Sequence, residues 1–223
     1  MTQKPQPLQR LDAPVFVHDT AVVSPRAALS SGCKIWHFCH VREGAVIGAF
    51  ASLGQGCYVA STAIVGARCR VQNHVSLYDG VMLDEDVFIG PSVVFTNVLT
   101  PRAHVDRREQ YVETHVGRGA SIGANATIVC GVRIGPYALI GAGAVVHRDV
   151  PAHARVVGNP SRQIGWSCWC GQRLDAVVEQ EAPTSPAPRL VRHRCPDCAR
   201  CYVVDSEQDT CAEVDPSRDG GSP

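Results

Sequence analysis

Branched aliphatic residues recur every six positions along most of this chain. Stepping from Val17, the series runs Val23, Leu29, Ile35, Val41, Ile47, Leu53, Val59, Val65, Val71, Leu77, Leu83 and Ile89, and reaches Phe95. It resumes at Val116 and continues through Ile122, Ile128, Ile134 and Ile140 to Val146. Two positions before each anchor the residue is usually small, as at Ala21, Ala27, Cys33, Cys39, Ala45, Ala51, Cys57, Ala63 and Cys69. Gly often follows the anchor, as at Gly48, Gly54, Gly66, Gly90, Gly117, Gly123, Gly135 and Gly141. A period of six fits neither a 3.6-residue helix nor a continuous strand. It predicts a short strand and a tight turn, repeated. The anchor and the residue two before it face one side of that strand, and Gly tolerates the turn that follows. Three such units close a triangular coil, and stacked coils make an all-β, parallel β-helix. Cys33, Cys39, Cys57 and Cys69 then fill interior positions that Ala fills elsewhere, as packing thiols. Cys130 falls outside that position and receives no role.

The step from Phe95 to Val116 is not a multiple of six, so the chain leaves the coil and returns in a loop over 96–115. Long loops in a compact repeat are commonly functional. This one carries Arg102, Arg107 and Arg108, whose guanidinium forks suit phosphate or carboxylate. Just before it, Gln72, Asn73, His74, Tyr78 and Asp79 flank the inward pair Val75 and Leu77, a polar group expected at the edge of the solenoid. His74 is a candidate base.

The 223 residues allow one sizeable domain with a small module. Lys+Arg and Asp+Glu are 21 each, and this zero balance argues against a nucleic-acid binder driven by phosphate charge. No run of about 18 apolar residues suggests membrane insertion, and Met1–Pro7 lacks the apolar region of a secretory signal. A cytoplasmic setting follows as the expectation, with the 11 Cys reduced or bound to metal. After the repeat, Cys168 and Cys170 precede Cys195 and Cys198. Two close Cys pairs supply four thiolates for a tetrahedral, structural Zn²⁺ in a zinc-ribbon-like module, with Cys201 as the rival ligand. A Pro-rich stretch at 179–188 reads as a loop between the pairs. Expected boundaries are an N-terminal segment 1–14, the β-helix 15–163, the module 164–211 and a disordered tail 212–223.

The hexads resemble those of the hexapeptide-repeat acyltransferases. Ile35-Trp36-His37-Phe38, Gln72 to Val81, Phe88 to Ser92, Phe95 to Val98 and Pro101-Arg102 further resemble the nucleotide 3-amino-sugar N-acetyltransferases. That resemblance implies a left-handed coil, a homotrimer with sites between neighbouring subunits, and acetyl-CoA as donor. It implies transfer to the 3-amino group of a UDP-linked sugar, UDP-2-acetamido-3-amino-2,3-dideoxyglucuronate first, in bacterial surface polysaccharide or lipopolysaccharide synthesis. A dTDP-linked 3-amino-deoxyhexose is the alternative acceptor. A carbonic-anhydrase-like metalloenzyme and a noncatalytic solenoid are the more distant ones.

The roles implied are Asn73 as hydrogen-bond partner of the reacting amine and His74 as base or bystander. His37, Gln72, Tyr78, Asp79, Thr96, Asn97 and Arg102 would contact the nucleotide sugar. Gly123, Asn125, Gly141, Ala142 and Gly143, with Arg155 and Arg162, would meet coenzyme A. His74, Thr100 and Ser161 stand where the family more often has Asn, Asn and Ala, which leaves the acceptor sugar open.

Overall fold

The computed structural model describes residues 13–174 and 190–214. Most of the expected N-terminal segment, the Pro-rich loop and the tail from 215 onward lie outside the described residues. Within them the chain forms two-residue strands at nearly every anchor, beginning with Phe16–Val17, Val22–Val23 and Ala28–Leu29. Strands do not pair with their neighbours in sequence. Each pairs in parallel with the third one on, so Phe16 lies over Lys34, Val22 over His40 and Ala28 over Val46. Three sheets result, of ten, seven and six strands, and each is one wall of a triangular β-helix.

One coil therefore takes 18 residues, as from Ser52 to Arg70. Across the loop the step is longer. Phe88 pairs with Ser121 and Met82 with His115, 33 positions on in each case, so the loop inserts 15 residues without shifting the hexads. The small residues and the anchors point inward, and Ile35, Ile47, Leu53, Val65, Ile89 and Ile122 are fully buried. At about 25 cal/mol per Å², burying each such side chain contributes roughly 2 kcal/mol before entropy is charged against it. The four interior thiols pack among them at 0–1% exposure. Cys39 donates to the Gly54 carbonyl at 3.0 Å, Cys57 to Gln72 at 3.0 Å and Cys69 to Asp84 at 2.9 Å. Burial pushes the Cys69 thiol up to about 11.

Corners are tight enough to demand particular residues. A Cβ on Gly66 would stand 2.4 Å from the Asp84 carbonyl of the next coil, a backbone clash that no side-chain movement relieves. The third edge, between the third wall and the next coil's first wall, is laced by Arg68, Glu85, Asp86 and Arg118, with Arg118 2.9 Å from Glu85.

At the C-terminal end Ala154–Val157 adds the last parallel strand of the first wall. The chain reverses at Gly158 and returns antiparallel as Arg162–Ser167, across the boundary expected at 163/164. Arg173–Leu174 extends the same sheet, in which Trp166 pairs with Leu174 and both are buried. A separate antiparallel sheet follows, made of Leu190–Arg194, Cys201–Asp205 and Thr210–Val214. Among the described residues no helix is long and apolar enough to cross a membrane.

Candidate functional site

Because coils repeat every 18 residues, corner residues that touch lie one coil apart, not six positions apart. The first edge, between the first and second walls, carries Trp36-His37-Phe38, then Gln72-Asn73-His74, then Gly123-Ala124-Asn125 and Gly141-Ala142-Gly143. Direct bonds tie this column together. Gly56 N donates to His37 O at 2.8 Å, Ser92 N to Asn73 O at 2.9 Å, Asn125 N to Pro91 O at 3.0 Å and Gly143 N to Ala124 O at 2.9 Å. Asn73 and His74 thus share one edge with all five backbone groups expected to meet coenzyme A. Arg155 and Arg162 stand beside that edge, at the C-terminal end of the first wall.

Asn73 is exposed, but its Oδ1 accepts the Gln55 backbone N–H at 2.9 Å. With the oxygen engaged by the coil below, the amide presents its Nδ2 donor outward. His74 is exposed and holds a left-handed φ of 58°. A Cβ on Gly56 would lie 2.6 Å from its Nδ1, so the imidazole covers that glycine. Phe50 covers Gly32 and Tyr137 covers Gly119 in the same manner. His74 therefore has a structural task that an aromatic ring performs elsewhere. His37 stacks on His18 at 3.5 Å, in a surface group with Trp36 and Phe16.

Tyr78, Asp79, Thr96 and Asn97 belong to the second edge, between the second and third walls. The polar group that looked continuous in sequence is divided by the wall strand Ser76–Leu77. Asp79 Oδ1 accepts both the backbone N–H and the hydroxyl of Thr62 at 3.0 Å, and Thr96 Oγ1 accepts the Cys130 N–H at 2.9 Å. Those two side chains brace neighbouring coils. Tyr78 is 40% exposed beside Tyr58.

The loop leaves from this second edge. Val112 N closes its base on Asn97 O at 2.9 Å, and a single 3-10 turn, Arg108–Gln110, stiffens it. It bounds an open cavity of about 610 Å³, lined among others by Asn97, Arg102, His104, Arg107, Arg108 and Tyr111. Arg107 Nη1 donates to Gln110 at 2.7 Å while its Nε is buried without a partner, and Arg108 lies 3.6 Å from Asp106. Arg102 donates only to the Pro101 carbonyl, at 3.2 Å, among the described contacts. Three guanidinium groups and the Asp106 carboxylate thus line one opening.

Sequence reasoning assigned no role to one pairing. His115 Nε2 lies 2.8 Å from Asp84 Oδ1, an imidazole–carboxylate contact on the third wall. The residues are 31 positions apart, and only subtraction of the loop reveals them as neighbours.

In the C-terminal module the Sγ atoms of Cys168, Cys170, Cys195 and Cys198 lie within 4.8 Å of one another. Cys168 and Cys198 are 3.3 Å apart, Cys170 and Cys195 3.6 Å. Tetrahedral zinc with bonds of about 2.3 Å separates its sulfurs by about 3.8 Å, so the four thiols fit that ion. Burial alone would raise the Cys195 thiol, but the Cys198 and Asp197 N–H groups and the neighbouring thiols outweigh it and hold it at about 7. Cys201 contacts the Ala199 carbonyl and stands outside the cluster.

A parallel β-helix with hexad anchors defines a class of repeat protein, and comparison with known sequences places it more narrowly. Residues 113–148 match the family model described as bacterial transferase hexapeptide (six repeats). Over 72 residues the chain is 49% identical to the dTDP-3-amino-3,6-dideoxy-alpha-D-galactopyranose 3-N-acetyltransferase of Aneurinibacillus thermoaerophilus, covering 32% of this chain and 38% of that protein. It is 33% identical over 158 residues to the bifunctional protein GlmU of Sinorhizobium medicae, covering 67% of this chain and 34% of that one. The chain thus spans little more than a third of the length of these curated relatives. Among solved structures, a hexapeptide-repeat acetyltransferase of Vibrio cholerae complexed with acetyl coenzyme A aligns with a TM-score of 0.49 at 24% identity, over 55% of this chain and 70% of that one. Residues 113–148 thus resemble the bacterial hexapeptide transferases, and the same hexads continue before them along the chain.

Proposed function

We propose that the protein transfers an acetyl group from acetyl-CoA to the 3-amino group of a nucleotide-linked sugar. The observation that carries this reading is the 49% identity over 72 residues to an enzyme named for that reaction on a dTDP-3-amino sugar. The geometry is consistent with it. The neutral amine attacks the thioester carbonyl, the oxygen takes up charge, and collapse of the intermediate releases coenzyme A as a thiol. The outward Nδ2 of Asn73 suits the developing oxyanion better than the amine, because it is a donor. Glycines 123, 141 and 143 bring no side chain to the same edge, and nothing lies within 4 Å of where a Cβ on Gly143 would stand, which suits the pantetheine arm; Arg155 and Arg162 are the residues proposed for its phosphates. His37 and Gln72, on that edge, are further contacts proposed for the acceptor sugar.

Arg102 and Asn97 in the loop cavity are the contacts proposed for the pyrophosphate or an acidic sugar. The first edge and this cavity lie on different corners of one chain. The homotrimer expected for the family would set one subunit's edge beside another's loop. Arg102 favours UDP-2-acetamido-3-amino-2,3-dideoxyglucuronate, with a cytoplasmic role in surface polysaccharide synthesis. The similarity to the Aneurinibacillus enzyme favours a dTDP-linked 3-amino-deoxyhexose as the second reading. Mass spectrometry of products from acetyl-CoA and each sugar tests both. One added acetyl group over many turnovers supports the acceptor that gains it, and no product from either sugar overturns the proposal.

A further inference from the structure

The C-terminal sheet has no repeat to hold it to the β-helix; Gln163 Nε2 donates to Asp209 at 2.9 Å, and several of the other contacts gather at one side chain. Tyr202 is fully buried. Its hydroxyl accepts the Trp169 N–H at 2.9 Å and lies 3.3 Å from Cys168 Sγ, so the remaining proton points at sulfur. Its ring meets the His153 ring edge-on at 5.2 Å, and His153 stacks on Tyr137 at 5.2 Å. His153 Nδ1 lies 2.9 Å from the carbonyl of Ser167, the residue before Cys168. Tyr137 is a corner residue of the third edge, covering Gly119. A continuous path thus runs from the coil corner through two rings to the sulfur cluster.

The cluster itself joins the two parts of the chain that must stay together. Cys168 and Cys170 follow the antiparallel strand that closes the β-helix, whereas Cys195 and Cys198 lie in the turn between the first two strands of the separate sheet. Each pair sits in a tight turn, with Gly171 N bonded to Cys168 O at 2.9 Å and Ala199 N to Cys195 O at 3.0 Å. Gly171 and Ala199 adopt left-handed φ values of 90° and 61°. Trp169 lies under the Arg200 guanidinium at 4.5 Å, and Gln172 Nε2 donates to Asp197 at 2.7 Å. Four thiols crowded so closely, with Cys168 and Cys195 at 1% exposure, are poorly satisfied by one another.

We propose that Cys168, Cys170, Cys195 and Cys198 bind one zinc ion, and that this zinc, with the Tyr202 hydroxyl on Cys168, latches the 190–214 sheet over the C-terminal end of the β-helix. A stacked repeat exposes its core at an open end and needs a cap. Here Val156, Trp166 and Leu174 are buried residues of the strands at that end, to which the latch is attached. Four protein sulfurs close the coordination sphere, so the ion binds no substrate and its free energy goes into folding the cap.

The experiment uses the full chain with its bound metal. Elemental analysis is expected to find one zinc per chain, and none in Cys195→Ser. Removing zinc from the wild-type chain with a strong chelator is expected to accelerate amide exchange by about tenfold or more in 154–174 and 190–214, with 33–146 still protected. Tyr202→Phe is expected to keep the zinc yet accelerate exchange in the same segments by about tenfold, through loss of a buried bond to a thiolate. Absence of zinc from the wild-type chain, or retention by Cys195→Ser, overturns the metal site. Zinc removal that leaves exchange in 154–174 and 190–214 unchanged overturns the latch. A Tyr202→Phe chain that exchanges like the wild type overturns the role of the hydroxyl.

Discussion

Exchanging Asn73 for Asp separates two roles that the residue could play. Oδ1 receives the Gln55 N–H at 2.9 Å, so a carboxylate at this position retains the acceptor and replaces the outward donor with a second acceptor. If Nδ2 stabilises the oxyanion, Asn73→Asp loses one preorganised donor and adds repulsion, and kcat should fall by about 10²–10³. If the side chain instead orients the amine by accepting its hydrogen, Asp serves as well as Asn and kcat is kept. Asn73→Ala removes both groups. Its Gln55 N–H is left on an exposed corner that water reaches, so the stability cost is at the low end for a hydrogen bond, about 0.5–1 kcal/mol. That corresponds to a fall in Tm of about 1–4 °C for a chain of this size. Turnover measured by mass spectrometry and unfolding followed by circular dichroism, on both variants, give the four numbers needed. Wild-type turnover in Asn73→Asp would refute the donor role, and an Asp variant as destabilised as the Ala variant would refute the bond to Gln55. His74→Phe serves as a control, since a ring over Gly56 is preserved and kcat is expected to hold within about twofold if His74 is a packing residue.

Truncating Ile89 to Ala, at the fully buried midpoint of the first wall between Val71 and Ile122, should cost about 2–5 kcal/mol in denaturant unfolding. Val17→Ala, at 38% exposure in the first described coil, should cost less than about 1 kcal/mol, and equal losses would contradict the inward register. Burial holds the His153 pKa below its ordinary 6.5, against the opposing effects of the Ser167 carbonyl and Glu213. The unfolded chain then binds a proton before the folded one, so stability is greatest above about pH 6.5 and falls as pH drops through 6.5 toward the folded value. Unfolding midpoints between pH 7.5 and about 5 should decline more steeply in the wild type than in His153→Asn, and parallel slopes would discount this histidine.

Much of the fold was legible because a two-residue strand and a turn leave a mark every six residues. Ile35, Leu53, Val71 and Ile89 fall in one column by counting alone. The interior thiols were legible for the same reason, as were the departure of the chain after Phe95 and the two Cys pairs. The site was less legible because hexads fix which residues are at corners but not which corners meet. Six residues advance the chain by one wall, so Asn73 and Asp79 part company although they are close in sequence. Eighteen residues bring Gly54 under Gln72 and Asn73, and the 15-residue insertion carries the same edge on to Gly123.

By itself, then, the sequence determined the repeat, its inward face and the residue types able to bind an anion, a thioester or a metal. It did so because burial and backbone geometry act locally and leave a period. Only the tertiary structure decided that Oδ1 of Asn73 and the carboxylate of Asp79 were already engaged, and that His74 covers a glycine. It also decided that His115 meets Asp84 and that Tyr202 joins the sulfur cluster to His153. Those are contacts between side chains a coil or more apart, whose partners depend on where the chain returns after each turn and after the loop.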